Sequence, residues 1–212
     1  MHLEYPTKTI FDSLSLGVND GDCIGVVGRN GDGKSTLLGL FEGTVEPDEG
    51  RVVRTGGVRF ASLRQDDTLA DAQSVGWNIV GDIPEYEWAS DATIRQIIDG
   101  LIGDISWDTP VGTLSGGQRR RVDLARVLVA DAEVLLLDEP TNHLDVVAIT
   151  WLANHLRRRF ARKEGAMVVV THDRWFLDEV CDRMWEVHDE LVEPFEGGYS
   201  AYILQRVERQ RQ

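Results

Sequence analysis

Apolar positions along this chain fall into compact runs separated by glycine-rich turns and amphipathic stretches. Cys23-Ile-Gly-Val-Val27, Val134-Leu-Leu-Leu137 and Ala166-Met-Val-Val-Val170 are short and uninterrupted, the pattern of strands buried on both faces. Helical patterns lie between them, at Ser35–Phe41, from Leu114 through Leu128, and over residues 147–162. Strands alternating with helices predict a parallel sheet covered on both faces. Residues 8–18 predict a short strand region ending at the turn Asn19-Asp20-Gly21. Pro47–Gly50 predicts a turn, and Arg51–Arg54 and Gly57–Leu63 predict further strands, the second running out at Gln65. Residues 66–113 change character: they are acidic and carry Trp77, Trp88 and Trp107. Helical patterns around 72–81 and 92–102 make this stretch a small helical insertion between two parts of a sheet domain. Tyr199–Gln212 predicts a polar helix without core-facing density. There is no internal repeat and no low-complexity segment.

A chain of 212 residues suffices for one domain with a sizeable core. No apolar run approaches the roughly 18–20 residues that cross a membrane. The start, Met-His-Leu-Glu-Tyr-Pro, lacks the basic and apolar regions of a signal peptide, so a cytoplasmic location is expected. Cys23 and Cys181 form no Cys-x-x-Cys pair and are expected to be buried, reduced thiols. The net charge of −14 disfavours bulk attraction to nucleic acid or anionic lipid. The basic run Arg157, Arg158, Arg159, Arg162 and Lys163 is expected to be the solvated face of a helix.

Against this background five motifs stand in a fixed order. Gly28, Arg29, Asn30, Gly31, Asp32, Gly33, Lys34 and Ser35, followed by Thr36, match G-x-x-x-x-G-K-[ST] without a mismatch, between a predicted strand and a predicted helix. Such a loop curls backbone N–H groups around a phosphate, places the lysine charge near the β- and γ-phosphates and offers the serine hydroxyl to Mg²⁺. Val134–Leu137 delivers Asp138 and Glu139 to the C-terminal end of a strand, where ligands sit on a parallel sheet. Asp138 suits holding a magnesium ion through water, and Glu139 suits orienting or deprotonating an attacking water. Leu114-Ser115-Gly116-Gly117-Gln118 is a Ser-Gly-Gly turn opening a helix, a second anion-binding helix start. One domain needs only one for its own nucleotide, so this one is expected to serve a nucleotide on another copy. Gln65 and His172 complete the series. Of the remaining histidines, His143 lies in the crowded Thr-Asn-His-Leu-Asp loop, His2, His155 and His188 have no ligand-like spacing, and no metal beyond nucleotide-bound Mg²⁺ is expected.

These motifs, spread over residues 4–198, resemble those of the ATP-binding cassette (ABC) ATPase domains. The resemblance implies an α/β phosphate-loop NTPase cassette. Its expected parts are a RecA-like parallel-sheet core, an antiparallel β part and a small helical subdomain, here about 66–128 of a cassette spanning 1–198. It implies ATP and Mg²⁺ as ligands and hydrolysis of ATP between two cassettes. In that family the phosphate loop of one cassette and the signature of another sandwich ATP, so Ser115, Gly116, Gly117 and Gln118 would face the opposing nucleotide. Gln65 matches the glutamine loop, which meets Mg²⁺ and the attacking water. Ser35, Gln65 and Asp138 would thus surround the metal. His172 matches the switch histidine at the γ-phosphate, and Asp145 the loop that crosses the dimer interface. Tyr5 sits where the family stacks an aromatic on adenine, with Phe11 as a rival. Asp32 departs from the family, which has a small residue there. It is expected to face solvent or the opposing cassette and to weaken nucleotide binding modestly, so that Asp32→Ala tightens it.

Three stretches narrow the resemblance to the ABC-F proteins, which lack a membrane partner and act on ribosomes. They are Glu139-Pro-Thr-Asn142-His143-Leu-Asp145, Thr171-His-Asp-Arg-Trp-Phe-Leu-Asp-Glu-Val180 and Gly197-Gly-Tyr-Ser-Ala-Tyr-Ile-Leu-Gln-Arg206. The last resembles the segment leading into the linker between tandem cassettes, so residues 199–212 are expected to begin that linker. The expected whole is then an N-terminal cassette of a longer protein, acting with the ribosome, ribosomal RNA and tRNA near the exit-tRNA site. The alternatives are a standalone half that pairs with itself and the ATP-binding subunit of a membrane transporter.

Overall fold

The computed structural model describes residues 3–5, 8–11, 16–29, 33–48, 50–54 and 56–212, those before residue 16 by backbone alone. The chain begins with an antiparallel pair, β1 (Leu3–Tyr5) and β2 (Lys8–Phe11). The turn at Asn19–Asp22 is closed by the Asp22 N–H donating to the Asn19 carbonyl. β3 (Cys23–Gly28) follows, then α1 (Lys34–Glu42) and β4 (Phe60–Leu63). The helical insertion contributes α2 (Val75–Val80), α3 (Glu85–Trp88) and α4 (Ala92–Ile102) and leads into α5 (Gly116–Val129). β5 (Val134–Asp138), α6 (Val146–Arg159), β6 (Ala166–Val170), α7 (Arg174–Val180), β7 (Arg183–His188), β8 (Leu191–Glu196) and α8 (Tyr199–Gln210) complete it.

Among the described residues six strands form the main sheet in the order β4-β5-β6-β3-β7-β8. The pairings from β4 to β7 are parallel, and β8 runs against its neighbour. Period-two alternation divides the strand side chains between two apolar layers. Leu135, Leu137, Met167 and Val169 join the layer under α5, α6 and α7, whereas Ile24, Val26, Leu136, Val168 and Val170 face α1. On α1, Leu37, Leu38 and Leu40 are essentially sealed from water, each stabilising by roughly 1.5–3 kcal/mol. Both thiols are buried and free, and burial pushes that of Cys23 up to about 11, out of the reactive range.

The insertion shares the larger apolar layer through Val75, Ile79, Ile97 and Leu101, which join Val122 of α5 there. Its tryptophans knit it together. Trp107 lies against Gly76 of α2, where any added Cβ would fall 2.2 Å from the indole, and its ring meets Trp88 of α3 at 4.7 Å. Trp77 points outward. On α6, Trp151 closes over Gly100 of α4 in the same way and stacks on His155 at 5.2 Å.

Four local expectations are revised. Arg51–Arg54 is not a strand: Arg54 turns back and donates to the carbonyls of Leu40 and Phe41, which the end of α1 leaves unpaired. The strand expected over Gly57–Leu63 shortens to Phe60–Leu63. β7, β8 and the four-residue α3 carry signals that the hydrophobic pattern did not resolve. The tail helix does have a core face. Tyr202 is buried, meets Phe195 edge-on at 4.9 Å and donates its hydroxyl to Glu186. The basic run is solvated except at Arg159, which reaches the Leu128 carbonyl at the end of α5.

Candidate functional site

Parallel pairing puts the C-terminal ends of β4, β5, β6 and β3 on one edge of the sheet. Every motif from the phosphate loop to His172, the signature aside, is delivered there by a strand end. The register sets Leu63 beside Leu137, and Gln65 follows two residues later, exposed. Asp138 pairs with Val170 in register, and Thr171 and His172 come directly after it.

Gly28 ends β3 in a close approach that only glycine allows: an added Cβ would lie 2.4 Å from the Val187 carbonyl oxygen. Gly33 caps α1 in the left-handed region, φ 98°, and among the described residues no side chain caps the helix. The first N–H groups of α1 open onto the site, where the dipole favours an anion. Lys34 is buried and donates from Nζ to the Gly28 carbonyl at 2.7 Å, which brings the ammonium back to the end of β3. Ser35 Oγ donates to Asp138 Oδ2 at 2.7 Å, joining the start of α1 to the end of β5. The other oxygen, Asp138 Oδ1, is buried without a hydrogen-bond partner among the described residues. A sealed carboxylate oxygen beside a serine hydroxyl is a donor set for a hard divalent cation. Thr36 occupies the same first turn. Arg29 is described, whereas Asn30, Gly31 and Asp32 lie outside the described residues, as does the Tyr5 side chain, although Tyr5 falls in β1.

Glu139 departs from the strand with φ 51°, a strained backbone for a residue bearing a Cβ. Its N–H donates to the Val170 carbonyl at 2.7 Å, which fixes the turn, and its Oε1 stands 3.4 Å from Nε2 of the largely exposed His172. The Thr171 hydroxyl accepts from the Asp173 N–H and meets Thr141 at 3.4 Å, so the loops after β5 and β6 brace each other.

The signature residues form a different kind of site. Ser115 and Gln118 make a reciprocal capping box at the start of α5, and Ser115 and Gly116 are exposed. Gly117 approaches His143, whose φ is 64°. Asp145 caps α6, accepting from Ala148 N at 2.8 Å. Beside it Val146 and Val147 are 78% and 77% exposed, an apolar pair at the mouth of the expected dimer loop that motif reading passed over. Sequence spacing also missed the meeting of Glu186, His188 and Glu193. Their carboxylates are engaged by Tyr202, Arg206 and Arg209 of α8, which makes the cluster a clasp for that helix.

A glycine-loop motif between a strand and a helix, with the first turn of that helix meeting a strand-end Asp-Glu pair on a parallel sheet, defines a phosphate-loop nucleotide-binding domain. The sequence profile described as ABC transporter matches residues 11–142, and the chain belongs to this family as an ABC ATPase domain of the ABC-F type. It is 35% identical to the energy-dependent translational throttle protein EttA of Mycobacterium tuberculosis, over 95% of this chain and 42% of EttA. It is 32% identical to the ribosome protection protein VmlR of Bacillus subtilis, over 94% of this chain and 32% of VmlR. The uncharacterized ABC transporter ATP-binding protein YfmR of B. subtilis is also 32% identical, over 100% of this chain and 39% of YfmR. The chain thus spans well under half the length of these relatives. A solved ATP-binding subunit of an ABC transporter superposes with a TM-score of 0.81 over 99% of this chain and 90% of that one, at 18% identity.

Proposed function

We propose that this chain is an ATP-hydrolysing cassette that closes with a second cassette around ATP and drives a ribosome-bound step of translation. The observation that carries the reading is the junction of Ser35 with Asp138 beside the facing pair Glu139 and His172. Lys34 and the N–H groups opening α1 hold the phosphates. Mg²⁺, held by Ser35 and Asp138 with Gln65 nearby, would neutralise charge developing on them. Glu139 orients the attacking water and takes its proton, and His172 contacts the γ-phosphate. Ser115, Gly116, Gly117 and Gln118 face the nucleotide of the other cassette, and Asp145 with Val146 and Val147 meets it across the interface. Loss of the γ-phosphate removes the bridge, and the pair opens.

The second cassette is either a tandem one in the same protein, reached through α8, or another copy. The names of EttA and VmlR support the ribosomal role. No helix among the described residues is long and apolar enough to cross a membrane, which accords with work in the cytoplasm. Co-sedimentation with ribosomes tests the reading: Glu139→Gln, with ATP, should pellet with them and persist as a closed pair. A Glu139→Gln chain that neither dimerises nor pellets would sink it. Association with a membrane protein instead would make it a transporter subunit.

A further inference from the structure

Three consecutive arginines open the body of α5, and helical geometry sends each in a different direction. Arg119 binds the carboxylates of Asp67 and Asp71, the closest contacts being 2.7 and 2.6 Å. Arg121 binds Asp104 and the Leu101 carbonyl, which ties α5 to the end of α4. Arg120 turns to the hydrolytic edge. Its Nη1 donates to the Arg64 carbonyl, and its Nη2 to the Asp138 carbonyl and, at 3.4 Å, to that of Glu139.

The acceptors set Arg120 apart. Its neighbours pair with carboxylates, whereas Arg120 binds main-chain carbonyls in two separate loops. Arg64 immediately precedes Gln65, and Asp138 and Glu139 are the carboxylate pair itself. A guanidinium fork fixes the spacing between two acceptors, which a lysine point charge does not. Glu139 needs such support, because its backbone is held at φ 51°. The guanidinium is half-buried, and burial lowers its pKa while the charges of Asp123, Asp138 and Glu139 oppose the fall.

We propose that Arg120 is a positioning residue for hydrolysis, holding the loop of Gln65 and the turn of Glu139 at a fixed separation. The inference rests on the hydrolytic reading above, and its test separates the two. The 212-residue chain is compared as wild type, Arg120→Met, Arg120→Lys, Arg121→Met and Glu139→Gln. Arg120→Met should lower kcat about tenfold or more, with the KM for MgATP little changed. Arg120→Lys should recover part of the loss, and Arg121→Met, which breaks an equally large contact outside the site, should keep kcat within about twofold. Hydrogen exchange should speed up in Arg120→Met over residues 63–66 and 138–142 and not over 101–105, with the opposite pattern in Arg121→Met. Equal kcat in the two methionine variants, or unchanged exchange at both loops in Arg120→Met, would overturn the proposal. Undiminished turnover in Glu139→Gln would instead overturn the hydrolytic reading, and the exchange pattern would still decide the role of Arg120.

Discussion

The nucleotide edge of the sheet and the helical insertion are built by opposite means. The edge is made of irregular backbone and converging polar groups: Glu139 and His143 at positive φ, the left-handed Gly33, and the sealed Asp138 oxygen. The insertion is made of tight apolar packing, with Trp107 on Gly76, Trp88 on Trp107 and Trp151 over Gly100. Residues 66–113 also hold ten carboxylates against the single base Arg95, so the insertion accounts for most of the chain's net charge of −14. The contrast teaches that chemistry and stability are separable here: changes at the edge should alter turnover at little cost in folding, and changes in the insertion should do the reverse.

The largest expected effect is at the edge. Glu139→Gln should cost about a hundred- to ten-thousandfold in turnover while the melting temperature and ATP binding stay near wild type, as single-turnover kinetics and calorimetry would record. A variant that unfolded instead would erase the contrast. Next comes Trp107→Ala, which empties the space against Gly76 and Trp88. Denaturant titration should show a loss of about 3 kcal/mol, with the ATPase rate per folded molecule little changed.

The seam between the regions titrates. His155 is buried beneath Trp151, its Nε2 has no hydrogen-bond partner among the described residues, and burial, reinforced by Arg159 and Arg158, pushes its pKa down to about 4. A histidine with a depressed folded pKa takes up its proton first in the unfolded chain. Its contribution is therefore intact above the unfolded pKa, near 6.5, and is lost as pH falls toward 4. Stability measured at pH 5 should be lower than at pH 7 by about 2 kcal/mol from this group, and His155→Phe should flatten that slope. The smallest effect is that of Gly100→Ala. Its Cβ would meet the Trp151 ring 2.2 Å away, costing about 1–3 kcal/mol of overpacking, partly offset by about 1 kcal/mol of helix propensity. A net loss of about 1 kcal/mol with unchanged turnover would sharpen the division.

Legibility followed the range of the interactions. The phosphate loop, the strand bearing Asp138 and Glu139, the signature and the alternating strand–helix order could all be read, because each is a local pattern of residue types at short spacing. The β7–β8 hairpin could not. Its turn residues Asp189 and Glu190 adopt φ 47° and 65° without the glycine or asparagine that announces such a turn. Arg51–Arg54 looked like a strand because propensity ignores the unpaired carbonyls of α1, which Arg54 satisfies instead. The tail looked polar because its apolar residues fall on two sides: Tyr199, Tyr202 and Ile203 recur at helical spacing against the core, whereas Leu204 and Val207 are exposed and blur that stripe; Tyr202 and its clasp on Glu186 dock it.

Residue identity and spacing alone were enough to specify the family and to nominate the residues expected to hold and cut ATP, since those motifs encode backbone conformations and charges that act locally. Tertiary structure alone decided that Ser35 meets Asp138, that Glu139 faces His172, and that one of three identical arginines reaches both the loop of Gln65 and the turn of Glu139. Those meetings depend on strand register and helix rotation, which arise from packing the whole sheet and are written in no single stretch of the chain.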